Sequence, residues 1–153
     1  MVAASNRNPD IQKLNQMIEG IDVAMLTTAM PDGSLHSRPM VSRQVSEDGV
    51  LCFFSDADSA KVHEVRRDSH VNISYADTVR QRYVSISGRA TVVRDTPKAR
   101  ELWTPIVKAW FPSGPDDPNL VLLRIEIDEA EYWDGPASKM VQLFRSAPIA
   151  ARV

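Results

Sequence analysis

Arg82-Tyr83-Val84-Ser85-Ile86-Ser87-Gly88-Arg89-Ala90-Thr91-Val92-Val93-Arg94 reads as one long β-strand. Val84 and Ile86 alternate with Ser85 and Ser87, the period of a sheet with one buried face. Gly88 then interrupts the alternation, which predicts a bulge or bend at that point. A long strand with a built-in corner favours a closed or split barrel over a flat sheet.

Working towards the N-terminus, His70 to Ala76 alternates Val71, Ile73 and Tyr75 and reads as a strand. Val50 to Ser55 is a dense apolar strand. Leu35 to Val45 is extended but carries Pro39, which cannot donate to a ladder and predicts an edge or a bulge. Val23 to Ala29 is the first strand. Met30-Pro31-Asp32-Gly33 and Glu47-Asp48-Gly49 supply turn residues between these runs. The first three strands are expected as an antiparallel meander. Towards the C-terminus, Leu120 to Ile127 and Ala130 to Trp133 are expected as the last two strands. Three short helices are predicted. One is capped by Asn8 with Pro9 at its first position, one runs from Ser59 to Arg67, and one from Thr96 to Trp110. Phe111 to Pro118 is a rigid, proline-rich loop. Six or seven mostly antiparallel strands with few helices place the chain between all-β and α+β.

Length and charge narrow the function classes. A chain of 153 residues is one domain. Lys and Arg number 18 against 20 Asp and Glu, a net charge of −2, so nothing draws the chain as a whole to nucleic acid or anionic lipid. No apolar run reaches the roughly 18 residues of a membrane span, and no secretory leader is visible, so a cytoplasmic location is expected. One cysteine, Cys52, excludes an internal disulfide and sits in an apolar strand as an inert thiol. His36, His63 and His70 share no metal-ligand spacing.

Three stretches carry chemistry. In Phe53-Phe54-Ser55-Asp56-Ala57-Asp58-Ser59-Ala60-Lys61 a strand ends, a loop follows and a helix begins. A lysine in the first turn opposes the helix dipole unless an anion binds there too. Ser55, Ser59 and Lys61 together suit a phosphate monoester; the alternative is that Asp58 or Ser59 only caps the helix. Arg38 and Arg43 flank Pro39, and Arg38 could meet Lys61 on one anion; the alternative is two solvated charges beside Glu47 and Asp48. Trp103 is expected in the core. Trp110-Phe111 and Trp133 sit where elements end, positions that suit contact with a planar ring.

R-P-M at 38–40, F-F-S-D-A-D-S-A-K at 53–61, Y-V-S-I-S-G-R-A at 83–90 and A-E-Y-W-D-G at 130–135 resemble the FMN-binding split-barrel superfamily. The similarity is greatest to the general stress branch of the pyridoxamine 5′-phosphate oxidase-like proteins. The resemblance implies a six-stranded antiparallel split barrel of Greek-key type spanning residues 10–146, with 1–9 a flexible lead-in and 147–153 a tail. It implies a homodimer with FMN in the subunit interface. By position, Arg38, Ser59 and Lys61 hold the FMN phosphate, with Pro39 and Ala60 beside them in the same motifs. Met40 and the backbone of Phe53, Phe54 and Ser55 line the ribityl chain and ring. Tyr83 stands where the oxidases have glutamine and approaches from the partner. Trp110, Phe111 and Trp133 lie near the ring.

The oxidases follow the tryptophan with an R-x-H-type substrate stretch. Here Trp133 precedes Asp134-Gly135-Pro136-Ala137-Ser138-Lys139, which argues against vitamin B6 oxidation. The resemblance therefore implies a flavin oxidoreductase acting on another substrate through a small-molecule electron donor or acceptor. The alternatives are a non-catalytic flavin-binding or sequestering stress module, or the same barrel using deazaflavin or haem.

Overall fold

Asn8 and Pro9 open the first helix for the reasons their residue types supply. In the computed structural model, which describes residues 8–137 and 139–144, Asn8 accepts a hydrogen bond from the Asp10 N–H at 2.8 Å. Pro9 begins α1 (Pro9–Ile18) and buries Ile11, Leu14, Met17 and Ile18 as one stripe. The expectations for 1–7, for Ser138 and for the 147–153 tail, and the last two residues of the 10–146 span, lie outside the described residues.

Seven strands follow: β1 (Val23–Ala29), β2 (Leu35–Val41), β3 (Val50–Asp56), β4 (His70–Asp77), β5 (Arg82–Val93), β6 (Leu120–Asp134) and β7 (Val141–Leu143). They form one antiparallel sheet in the order β2-β1-β4-β5-β6-β3. The sheet does not close, so β2 and β3 are its two ends, as in a split barrel. β3 and the short β7 share the same flank of β6, β3 along Leu120–Glu126 and β7 along Ala130–Tyr132. Pro39 lies in β2, an end strand, where a missing donor costs least.

Four sequence expectations need correction. The first three strands are not a meander, because β3 pairs with β6 and not with β2. The chain leaves the sheet after β2 and is caught by α1. Asn15 acts as a substitute strand for Val45, accepting from its N–H at 2.8 Å and donating to its carbonyl at 2.9 Å. The last two predicted strands are one, and its register with β5 shifts at Ser87/Gly88. The extra residue, Asp128, belongs to β6, while Gly88 provides the space. A Cβ at Gly88 would collide with the backbone carbonyl of Glu126. The Thr96–Trp110 helix is two, α3 (Thr96–Leu102) and α4 (Pro105–Trp110). Thr104 is extended, with φ −134° and ψ 160°, as a residue before proline prefers. Trp103 is only half-buried, packed edge-on against Phe54 at 5.7 Å between centroids.

The main core lies on the inner face of the sheet. Leu26, Leu51, Phe53, Ile73, Ile86, Leu123 and Ile125 are fully enclosed with Leu14 of α1 and Val62 of α2 (Ala60–Arg67). Each such side chain contributes about 1.5–3 kcal/mol by leaving water. A second, smaller cluster joins Ala99, Val107, Phe111 and Leu120 under α3 and α4, with Phe54 and Trp103 against it. Among the described residues no helix is long and apolar enough to cross a membrane.

Candidate functional site

The end of β3 and the start of α2 make the junction that the site is built on. Ser55 is the last inward residue of β3 and is buried. Its hydroxyl lies 3.1 Å from that of Ser59 and donates to the Asp56 carbonyl at 3.3 Å. Ser59 occupies the N-cap position of α2 yet makes no capping bond with its side chain. The simple capping reading therefore fails for Ser59, whose hydroxyl turns to Ser55. The helix start keeps free N–H groups and its positive end.

Lys61 follows in the first turn and is half-buried. Burial holds its ammonium below the ordinary lysine value, and the Arg38 charge pushes the same way, against Asp56 and Glu64. Arg38 is bound differently. Its Nη1 donates to Thr28 Oγ1 at 2.8 Å and to the Leu26 carbonyl at 3.2 Å. Its Nη2 pairs with Glu64 Oε2 at 3.3 Å. Glu64 is a buried carboxylate and also accepts from Thr28 Oγ1 at 2.8 Å. A carboxylate in this position answers the arginine charge, so of the two cations Lys61 is the one directed to the open space.

That space is a cleft of about 370 Å³ between β2, the end of β3, α2 and α4. Pro39, Met40, Phe53, Phe54, Ser55, Lys61, Trp110 and Phe111 line it, all singled out in the sequence. Arg38, Ser59 and Ala60 stand behind or beside it. Trp110 and Phe111 divide their labour, the first 75% exposed and the second 8%. Tyr83 and Trp133 lie elsewhere, opposite each other on β5 and β6 and both half-buried. The structure thus brings most of the expected residues together in one chain and leaves those two apart.

Sequence reasoning missed Val41, Asp56 and Val107 as lining residues, and the solvated alternative for Arg43 fails. Arg43 is not a solvated charge beside Glu47 and Asp48. Its guanidinium lies over the Phe54 ring at 4.6 Å, and Nη1 donates to the Leu102 carbonyl at 2.6 Å. Burial pulls it below its ordinary value. The partner carbonyl is 59 residues away in the chain, so no local signal could have found it. Cys52 is half-buried on a neighbouring cleft of about 430 Å³, and burial raises its thiol. Among the described residues no cluster of His, Cys, Asp and Glu is placed to hold a metal ion.

A cation, paired hydroxyls and an open helix start beside an apolar wall fit a ligand with a phosphate at one end and a flat ring at the other. Known proteins share the sequence and the fold. The family model described as pyridoxamine 5′-phosphate oxidase like matches residues 9–151. Protein bli-3 of Neurospora crassa is 30% identical over 132 residues, 80% of this chain, and the match spans only 63% of that protein. Among solved structures, general stress protein 26 from Bacillus anthracis str. Sterne is 26% identical with a TM-score of 0.72, covering 87% of this chain and 98% of that one. The general stress FMN/FAD binding protein of Xanthomonas citri is 29% identical with a TM-score of 0.69, covering 86% and 93%.

Proposed function

Because the chain belongs to the pyridoxamine 5′-phosphate oxidase-like family, we propose that it binds FMN in the cleft between β2, β3, α2 and α4 and acts as a flavin-dependent oxidoreductase. The single observation that carries this reading is Lys61, directed into the cleft beside the Ser55–Ser59 hydroxyl pair at the start of α2. FMN, when bound, supplies the hydride and electron chemistry. The chain supplies the rest. Lys61 and the helix start neutralise the phosphate. Met40, Phe53 and Phe111 keep water from the ring. Glu64 and Thr28 hold Arg38 at the edge of the phosphate subsite. The segment after Trp133 lacks the arginine and histidine of the oxidases, which favours a substrate other than pyridoxamine 5′-phosphate.

Two copies of the chain complete the site in this reading. The outer face of β1 and β2 exposes Val23 at 52%, Leu35 at 69%, and Met25 and Val41 at 39% each. Val23 pairs with Val41 and Met25 with Pro39 across the strands, so these four form a continuous apolar patch, with Leu35 beyond the Thr27–Ser37 pair. Pro39 and Val41 also line the cleft, so a second copy seated on this face would cover the cleft mouth. The family resemblance has Tyr83 of the partner subunit approach the site.

The test is a titration of purified protein with FMN, followed by flavin fluorescence, together with molar mass by light scattering. Saturable binding by a dimer is expected. A chain that neither carries nor takes up FMN would sink the reading. A purely flavin-holding role is the second reading, favoured by the missing substrate segment after Trp133. NAD(P)H oxidation above the rate of free FMN separates the two.

A further inference from the structure

Arg38, Glu64 and Thr28 close a network beside Lys61, and the two ends of the Arg38 guanidinium are held unequally in it. Nη1 is fixed, donating to Thr28 Oγ1 at 2.8 Å and to the Leu26 carbonyl at 3.2 Å. Nη2 lies 3.4 and 3.3 Å from the two Glu64 oxygens, long for a charge-assisted bond, which is ordinarily about 2.7–2.9 Å. Glu64 is kept in place from the other side by Thr28 Oγ1, which donates to it at 2.8 Å. Nη2 is therefore the loosely paired half of the network. The Arg38 side chain keeps 21% of its surface open, against 7% for Glu64.

The pair stands close enough to the cleft to set its potential. Arg38 and Glu64 both act on Lys61, which lines the cleft, the first lowering and the second raising its pKa, and Asp56 acts as Glu64 does. Two cations thus face two carboxylates. A phosphate monoester carries about −1.5 to −2 at neutral pH, and a set already in balance does not answer it. The phosphate and Glu64 therefore contend for one guanidinium end, since two anions held side by side repel. We propose that Glu64 is a positioning residue and an internal competitor of the ligand's phosphate: it occupies Arg38 while the cleft is empty and yields Nη2 to an arriving anion, so that flavin is an exchangeable ligand. The proposal rests on the flavin reading. The empty cleft then leaves Arg38 with its counter-charge, and every bound phosphate works against the Arg38–Glu64 attraction.

The experiment is parallel titration of wild type and Glu64→Gln with FMN and with riboflavin, which has the ring but no phosphate, together with stopped-flow release of FMN. Glu64→Gln keeps an acceptor for Thr28 and Arg38 and removes only the charge. It is expected to bind FMN about tenfold tighter, the worth of a charge-assisted hydrogen bond, to release it more slowly, and to bind riboflavin as wild type does. The empty variant should melt earlier, because Arg38 has lost its counter-charge. A merely structural Glu64 would give weaker or equal FMN binding in that variant, never tighter. A crystal structure of wild type with FMN needs no variant and keeps the question open to test should Glu64→Gln fail to fold. Nη2 is expected on the phosphate. If wild type binds FMN, and folded Glu64→Gln binds it no tighter or the bound structure keeps Nη2 on Glu64, this inference alone is overturned. If wild type binds no FMN, the flavin reading and this inference fall together.

Discussion

The core inside the sheet and the cluster beneath α3 and α4 use the same kinds of side chain with different results. Leu51, Leu123 and Ile125 are sealed on every side by the sheet and its helices. Val107 and Phe111 are buried too, but their neighbours Phe54 and Trp103 are only half-covered. One edge of that smaller cluster is the cleft itself. β3 serves both regions because its residues alternate, Leu51 and Phe53 inward, Cys52 and Phe54 outward. The lesson is that a fully enclosed cluster maintains the fold, while an incomplete one leaves apolar surface for a ligand to finish.

The comparison can be broken by truncating each cluster in turn. Leu123→Ala should cost about 3 kcal/mol of folding stability, as for a fully enclosed leucine, with FMN affinity unchanged while the chain stays folded. Chemical denaturation and FMN titration of the same variant check both halves. Lys61→Ala should do the reverse. FMN binding is expected to weaken by about 2 kcal/mol, the worth of a charged hydrogen bond, with little change in the melting temperature. Equal affinity in that variant would move the phosphate elsewhere. Val107→Ala lies between them, with about 1.5 kcal/mol of stability lost for two deleted carbons and an FMN affinity that changes measurably. A variant that melts earlier but binds identically would separate the small cluster from the cleft.

The smallest effect sharpens the same contrast through pH. Lys61 is held below the ordinary lysine value of 10.5, first by burial and then by Arg38. FMN affinity should therefore fall as pH rises through that depressed value, before 10.5 is reached. Folding stability should move the other way in this window, because the unfolded chain binds the extra proton there. FMN titrations across an alkaline pH series, with Lys61→Arg as the variant that removes the fall, provide the measurement.

Much of the site was readable locally. Phe53 to Lys61 forms strand, loop and helix within nine consecutive residues, so short-range signals suffice to bring Ser55, Ser59 and Lys61 together. Pro39 announced an end strand, and Gly88 announced a disturbed ladder. Other features were hidden for stated reasons. Pro105 was passed over inside an apolar pattern that continues on both sides of it, and the helix divided there. The Arg38–Glu64 pair and the Arg43–Leu102 bond join residues 26 and 59 positions apart. Such partners depend on how elements pack, and no periodicity reports it.

The sequence by itself determined where six of the strands run, though not the short β7 or the end of β2 at Val41, and where most turns fall, because those choices depend on residue type and spacing within a few positions. The tertiary structure alone decided that β3 would leave β2 and join β6, that Glu64 would take Arg38, and that Arg43 would keep one buried donor unpaired. Each is a contest between distant groups for the same hydrogen bond or the same volume, and only the folded arrangement resolves it.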